Sequence, residues 1–214
     1  MKSAMIAGKK RNNEKGRLYQ NNMSNICVFA SSSSAVADVY KTAAKDLGEA
    51  LAKSDFGIVF GAGTDGLMGE LARSTHEHGG EVIGVIPDSL NFPGIVYPHC
   101  DELLDTRTMH ERKAIMAERS KAFIALPGGF GTLEEILEII TLKQLGYHNK
   151  AIVILNINGF FDSLLAQFNE TVAQDFASRD VLSLFGVMGN VPDAMHYIQT
   201  YSPTTTYTKN AALE

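Results

Sequence analysis

Apolar residues in this chain fall in short unbroken runs, separated by longer stretches with helical spacing. Residues 26–30, 56–60, 82–86, 122–126 and 151–155 are such runs, and they stop at Ser31, Gly61, Pro87, Pro127 and Asn156 respectively. Runs this short, continuous rather than alternating, predict strands covered on both faces. Between the first two, Ala37, Tyr40, Ala44, Leu47, Ala50 and Leu51 fall near a 3.6-residue period. A second helix is expected over residues 67–78, closed by Gly79 and Gly80. Further helices are expected over 107–121 and 132–145, then near 160–177 and 192–200. Residues 88–101, with Pro93 and Pro98, read as a loop. Strand–helix alternation with such strands predicts an α/β protein with a doubly wound, mostly parallel, Rossmann-like sheet in three α/β/α layers. One domain is expected over 25–201. Ligands of such sheets bind outside the carboxyl ends of the strands. The loops after the first, second and fourth runs should therefore converge on one crevice.

Charge changes the picture at the ends. The chain carries a formal net charge of −5. Residues 1–24 hold six Lys and Arg against Glu14, a net +5, so the remaining chain carries −10. The basic segment reads as a solvated, disordered extension, and the Thr-rich stretch from Ser202 as a polar tail. An acidic body does not suit a nucleic-acid surface. Hydrophobic content is 45%, ordinary for a globular protein, with no apolar run long enough for a bilayer. Without an apolar leader the expected location is the cytoplasm. Cys27 and Cys100 are the only cysteines, and neither lies in a Cys-x-x-Cys pair. They read as reduced thiols rather than metal ligands. His76, His78, His99, His148 and His196 show no ligand spacing and read as surface or loop residues, so no metal site is expected.

Candidate chemistry concentrates at Pro127-Gly128-Gly129-Phe130-Gly131-Thr132-Leu133-Glu134-Glu135, between a strand and a helix. Glycines let a backbone approach a bound group closely, and free N–H groups of a first helical turn favour an anion, most often phosphate. Thr132 and Glu135 also fit a capping box, Thr-x-x-Glu, which leaves Glu135 either a cap or a catalytic carboxylate. Three glycines exceed what a turn needs, and a carboxylate beside a phosphate cradle points to chemistry on a phosphorylated sugar.

Two more segments belong to the expected crevice. Gly61-Ala62-Gly63-Thr64-Asp65-Gly66 matches a dinucleotide fingerprint but follows the second strand, not the first. It reads as a dinucleotide loop, a structural turn or part of a mononucleotide pocket, with Ser31 and Ser32 beside it. Met109-His110-Glu111-Arg112-Lys113 lacks the second His of a zinc-protease motif. Arg112 and Lys113 are either a solvated helix face or cations beside the crevice. Their roughly 100° separation on a helix keeps them from sharing one target.

With these residues together, the chain resembles the "lonely guy" (LOG) family, cytokinin riboside 5′-monophosphate phosphoribohydrolases often labelled lysine decarboxylases. The resemblance covers roughly residues 26–162. It rests on Pro-Gly-Gly-x-Gly-Thr-x-x-Glu at 127–135 and on the Arg112–Lys113 pair, 23 residues before Glu135. Segments 28–32, 66–69, 84–87, 144–146 and 156–161 are also similar. The resemblance implies hydrolysis of the N-glycosidic bond of a nucleoside 5′-monophosphate, AMP or a cytokinin precursor, to free base and ribose 5-phosphate. It implies catalytic roles for Arg112 and Glu135. Nucleotide binding would fall to Lys113, Gly129, Phe130, Gly131, Thr132, Leu133, Glu134 and Thr141, with Met109, Gly61, Gly63 and Gly128 nearby. It also implies a homodimer with no cofactor. Three departures stand out: Ala30 and Ala62 replace family glycines, and residues 88–100 lack a Glu that plant members place against substrate. The rival expectation is a nucleotide-sensing or carrier module that binds without turnover.

Overall fold

The computed structural model describes residues 24–203; the expected basic extension, Ser24 apart, and the tail beyond Pro203 lie outside the described residues. The elements run β1 (Ser24–Phe29), α1 (Asp38–Lys53), β2 (Phe56–Phe60), α2 (Gly66–Glu77), β3 (Val82–Pro87), β4 (Glu102–Thr106), α3 (Met109–Glu118), β5 (Ala122–Ala125), α4 (Phe130–Gln144), β6 (Ala151–Leu155), α5 (Asp162–Ala173), β7 (Gly186–Met188) and α6 (Val191–Thr200). The strands form one sheet in the order β4-β3-β2-β1-β5-β6-β7. Every pairing is parallel. From β1 the chain first builds outward through β2, β3 and β4, then returns to place β5 on the other side of β1. That reversal is a topological switch point, where such sheets open a crevice.

Alternate residues of each strand point to opposite faces, and the core divides accordingly. Ile26, Val28, Ile58, Phe60 and Ile124 pack with Leu47, Leu67 and Ala194 of α1, α2 and α6. Cys27, Phe29, Val59, Phe123 and Ile154 pack with Met116 and Ile139 of α3 and α4, and with Leu164 and Phe168 of α5. Cys27 and Cys100 are both free thiols.

Two strands escaped the hydrophobic pattern. β4 is an edge strand whose residues alternate between half-buried and exposed up to buried Thr106, with Glu102 and Asp105 in a five-residue span. β7 has three residues at the other edge. Edge strands are covered less, so β4 shows no unbroken apolar run, and β7 is too short to show one. The helix expected over 107–121 is shorter, because Thr108 caps it and β5 must begin at Ala122. Thr108 is a true N-cap: its hydroxyl accepts from the Glu111 N–H at 3.1 Å, while the Glu111 carboxylate reaches one residue past the cap and accepts from the Arg107 N–H at 2.8 Å.

At the far end of α4, Lys143 is buried with no carboxylate on it. Its ammonium donates to the carbonyls of Lys150 and Leu184 and to the Tyr201 hydroxyl, at 2.9, 2.8 and 2.8 Å. Burial lowers its pKa to about 8. Lys143→Ala leaves the buried Leu184 carbonyl and two half-buried acceptors without their donor. It is expected to cost about 2–4 kcal/mol in chemical denaturation, with turnover per folded molecule unchanged. Burial penalises the charged amine, so this site's contribution to stability should rise as pH climbs from about 8 toward the ordinary lysine value.

Candidate active site

The crevice lies where the topology reverses. Ala30, Ser31, Ser32 and Ser33 follow β1, Gly61 follows β2, and Gly129, Gly131, Thr132 and Glu135 open α4; Arg112 and Met116 come from α3. The cavity measures about 380 Å³. The expected convergence of three loops is therefore present. Met68 and Met116, which line it too, were not marked by the sequence. Met68 had a signal in lying within the similar segment 66–69, two residues after Gly66; Met116 had none beyond helical spacing from Arg112.

The first turn of α4 overturns the capping-box expectation. The helix starts at Phe130 with Gly129 as its N-cap, and the Gly129 carbonyl accepts from the Leu133 N–H at 3.1 Å. Thr132 is thus a helical residue, not a cap, and Glu135 lies in the second turn, free for another partner. The N–H groups of Phe130, Gly131 and Thr132 precede the first intrahelical bond and have no helical acceptor. The glycines differ in purpose. A Cβ at Gly128 would lie 2.1 Å from the Thr132 hydroxyl, so the protein itself requires that glycine. A Cβ at Gly129 or Gly131 would meet nothing within 4 Å. Both line the crevice, and the space their missing side chains leave suits a bound group.

The glycines after β2 serve the protein instead. Gly66 has φ +60°, and a Cβ there would run into the backbone of Ser31, Ser32 and Ser33. The Ser31 carbonyl accepts from the Leu67 and Met68 N–H groups at 2.9 and 3.2 Å. The start of α2 is therefore already satisfied and offers little to a dinucleotide pyrophosphate. Gly63 faces Met68 and bridges Val96 rather than lining the crevice. Ala62, where the family shows glycine, holds a left-handed φ of +60° while fully buried.

Arg112 and Glu135 form the one charged pair on the crevice wall. Arg112 Nε donates to the Val85 carbonyl at 3.0 Å, and Nη1 to Glu135 Oε1 at 3.2 Å. Their side chains are only 12% and 10% exposed. Burial pushes the Glu135 carboxyl up to about 7, more than the Arg112 charge pulls it down. Lys113, a helical neighbour, points elsewhere: it pairs with Glu134 and, at 2.7 Å, with Glu138. Burial alone would lower its pKa, but the two carboxylates raise it.

Several expected binding residues stand apart from the crevice. Phe130, Glu134, Leu137, Thr141 and Leu145 recur every three or four residues on the outward side of α4, and all are exposed. The Thr141 hydroxyl donates to the Leu137 carbonyl at 2.8 Å. Met109 is exposed at the start of α3, and Leu133 is half-buried. Two histidines depart from the surface reading. Half-buried His76 of α2 bonds the Tyr97 hydroxyl and Asp101, both at 2.9 Å, and half-buried His78 at its C-cap bonds the Ser74 carbonyl at 2.8 Å, while His148 lies in a loop as expected and bonds the Ile139 carbonyl at 3.0 Å. No group of three or more His, Cys, Asp or Glu suited to a metal occurs among the described residues.

Fold and crevice together define a Rossmann-like protein with an open helix N-terminus beside a buried arginine–glutamate pair. A family model described as "Possible lysine decarboxylase" matches residues 68–198. The chain is 42% identical over 188 residues to a probable cytokinin riboside 5′-monophosphate phosphoribohydrolase, LOGL9, of Oryza sativa subsp. japonica, covering 88% of this chain and 83% of that one. It is 40% identical over 178 residues to the cytokinin riboside 5′-monophosphate phosphoribohydrolase LOG2 of Arabidopsis thaliana, covering 83% and 84%. The chain belongs to this family, the LOG family. In fold it is similar to a molybdenum cofactor carrier protein from Chlamydomonas reinhardtii, with a TM-score of 0.63 at 21% identity, covering 82% and 96%. A molybdenum cofactor binding protein from Rippkaea orientalis gives 0.64 at 18% identity, covering 83% and 96%. At such identities the likeness concerns the fold alone. The family's decarboxylase label finds no support in the crevice, where no lysine is among the lining residues. The amine lowered to about 8, on Lys143, sits 11 residues along α4 from Thr132, roughly 16 Å at 1.5 Å per residue.

Proposed function

We propose that this chain hydrolyses the N-glycosidic bond of a purine nucleoside 5′-monophosphate, AMP or an N6-substituted AMP such as a cytokinin riboside 5′-monophosphate. Water adds to C1′, the base leaves with a proton, and ribose 5-phosphate remains. The observation that carries this reading is the buried Glu135–Arg112 pair one turn from the open N-terminus of α4. In it the 5′-phosphate sits on the N–H groups of the first turn, in the space left by Gly129 and Gly131. That contact fixes the ribose. The Glu135 carboxylate then stabilises the oxocarbenium-like state and activates the water. Arg112 holds Glu135 and steadies the departing base. Ser31 and Ser32 border the same crevice. A carrier has no use for a carboxylate beside its phosphate, since the charges repel. The relatives' names favour the hydrolase as well. The test is a panel of nucleoside 5′-monophosphates assayed for free base: purine nucleotides should turn over, and binding of all without base release would reinstate the carrier.

Activity should depend on pH with a definite sign. Glu135 acts as the carboxylate, and its raised pKa means it keeps its proton up to about 7. kcat/KM for AMP should therefore rise tenfold per pH unit below that value and level off above it. A flat profile between pH 5 and 8 would separate Glu135 from the chemistry.

The same reading includes a homodimer. Phe130 is 92% exposed, next to the crevice-lining Gly129 and Gly131, Met109 is 43% exposed at the start of α3, and Leu137 and Leu145 continue the outward stripe of α4. A second copy would cover this stripe and bring the expected binding residues Phe130, Glu134 and Thr141 to the edge of a shared site. Phe130→Glu should shift sedimentation toward the monomer.

A further inference from the structure

We propose that Gly61 is a positioning residue for Arg112: its missing side chain leaves the notch in which the guanidinium lies, and any larger residue there would turn Arg112 away from Glu135. The inference rests on the proposed role of Arg112 in the reaction. It departs from the reading of Gly61 as part of a phosphate or dinucleotide loop.

The geometry is specific. A Cβ built on Gly61 would lie 2.1 Å from Arg112 Nη2 and 3.3 Å from its Cζ, with the Met68 sulfur also at 3.3 Å. The first distance is impossible for real atoms. The guanidinium is held on its other edges by the Val85 carbonyl at Nε and by Glu135 at Nη1. Gly61 ends the apolar run of β2, while Val85 belongs to the neighbouring β3. Arg112 therefore rests across the carboxyl ends of two adjacent strands, and only a glycine at the first lets it lie flat there. Gly61 carries no positive φ, so backbone conformation does not explain the glycine. The α2 N–H groups of Leu67 and Met68 are already bonded to Ser31, so an anion at that turn does not explain it either.

The clash falls on the far end of a flexible side chain. Gly61→Ala should therefore fold and move Arg112 rather than the backbone. Turnover of AMP should fall about tenfold or more, with little change in melting temperature. The acid limb of the pH profile should move upward, because the nearest cation leaves Glu135. The other charges facing Glu135 are Glu134, Lys113 and Glu138 on its own helix and on α3, with the Cys27 thiol beneath. None of these touches Gly61, so the shift reports on Arg112.

A double-mutant cycle separates the possible failures. In an Arg112→Ala background, Gly61→Ala should lower turnover no further, since nothing remains to displace. Multiplicative losses in the double variant, or a normal pH profile and turnover in Gly61→Ala, would overturn the positioning role. If Arg112→Ala itself retains full turnover, it is the proposed mechanism that fails. Should Gly61→Ala not fold, Gly61→Ala/Arg112→Ala must recover folding, and continued failure to fold would also overturn the inference.

Discussion

Glu135→Gln is expected to lower turnover of AMP by about 10²-fold or more, roughly 2.7 kcal/mol of transition-state stabilisation, while AMP still binds. The amide keeps the shape and can still accept the Arg112 hydrogen bond, but it carries no negative charge for an oxocarbenium-like sugar and cannot take a proton from water. Stability should not fall with activity. Glu135 is not a helix cap, since α4 begins at Phe130 with Gly129 as its N-cap. Its raised pKa, from 4.5 to about 7, has a clear sign. The folded state disfavours the carboxylate, so the stability this group contributes is fully present below 4.5 and is lost as pH rises through about 7. At pH 8 the variant should melt no lower than the native protein. Arg112→Ala should also lose turnover, and it leaves Glu135 holding its proton to higher pH. The double variant should be hardly worse than the poorer single one, because the pair acts as a unit. Early melting of Glu135→Gln with normal turnover per folded molecule would return Glu135 to a structural role.

Removal of the 5′-phosphate is expected to have an effect of the same order. The first turn of α4 offers N–H groups with no helical acceptor, and charge-assisted hydrogen bonds contribute about 1.5–3 kcal/mol each. Two such bonds give about 3 kcal/mol, so kcat/KM for adenosine should lie at least about 10²-fold below that for AMP. The two open glycines locate the contact. Gly129→Ala or Gly131→Ala should raise KM for AMP and leave adenosine turnover unchanged, at a stability cost within about 1 kcal/mol. Gly128→Ala should destabilise instead, because its Cβ meets Thr132. Equal turnover of AMP and adenosine would take the phosphate away from this loop.

The five central strands were legible because burial on both faces leaves unbroken apolar runs, as in Ile58-Val59-Phe60 and Ala151-Ile152-Val153-Ile154-Leu155, all buried. The edge strands were not, because one side of β4 meets solvent at Leu103 and Asp105, and its other side is only half-covered at Glu102 and Leu104. Convergence of the Ser31, Gly61 and Gly129 loops followed from strand direction alone. The threonine cap was misplaced because Thr132-x-x-Glu135 and Thr108-x-x-Glu111 are the same pattern, and the cap is at Thr108. Only the position of the helix start, set by the β5–α4 turn, tells them apart. The pairing of Arg112 with Glu135, and of Lys113 with Glu134 and Glu138, needs α3 and α4 side by side. No local pattern reports that packing. Nor does sequence distinguish a glycine that makes room for a ligand, at 129 and 131, from one that makes room for Ser31–Ser33 or Arg112, at 66 and 61.

The most direct test of the central claim is to incubate the purified chain with AMP and follow adenine and ribose 5-phosphate together, with AMP binding measured on the same preparation. Equal amounts of base and sugar phosphate, formed over many turnovers and lost in Glu135→Gln, are the predicted result. Saturable AMP binding with no release of adenine, from AMP or from an N6-substituted AMP, would contradict the account and leave this chain a nucleotide carrier.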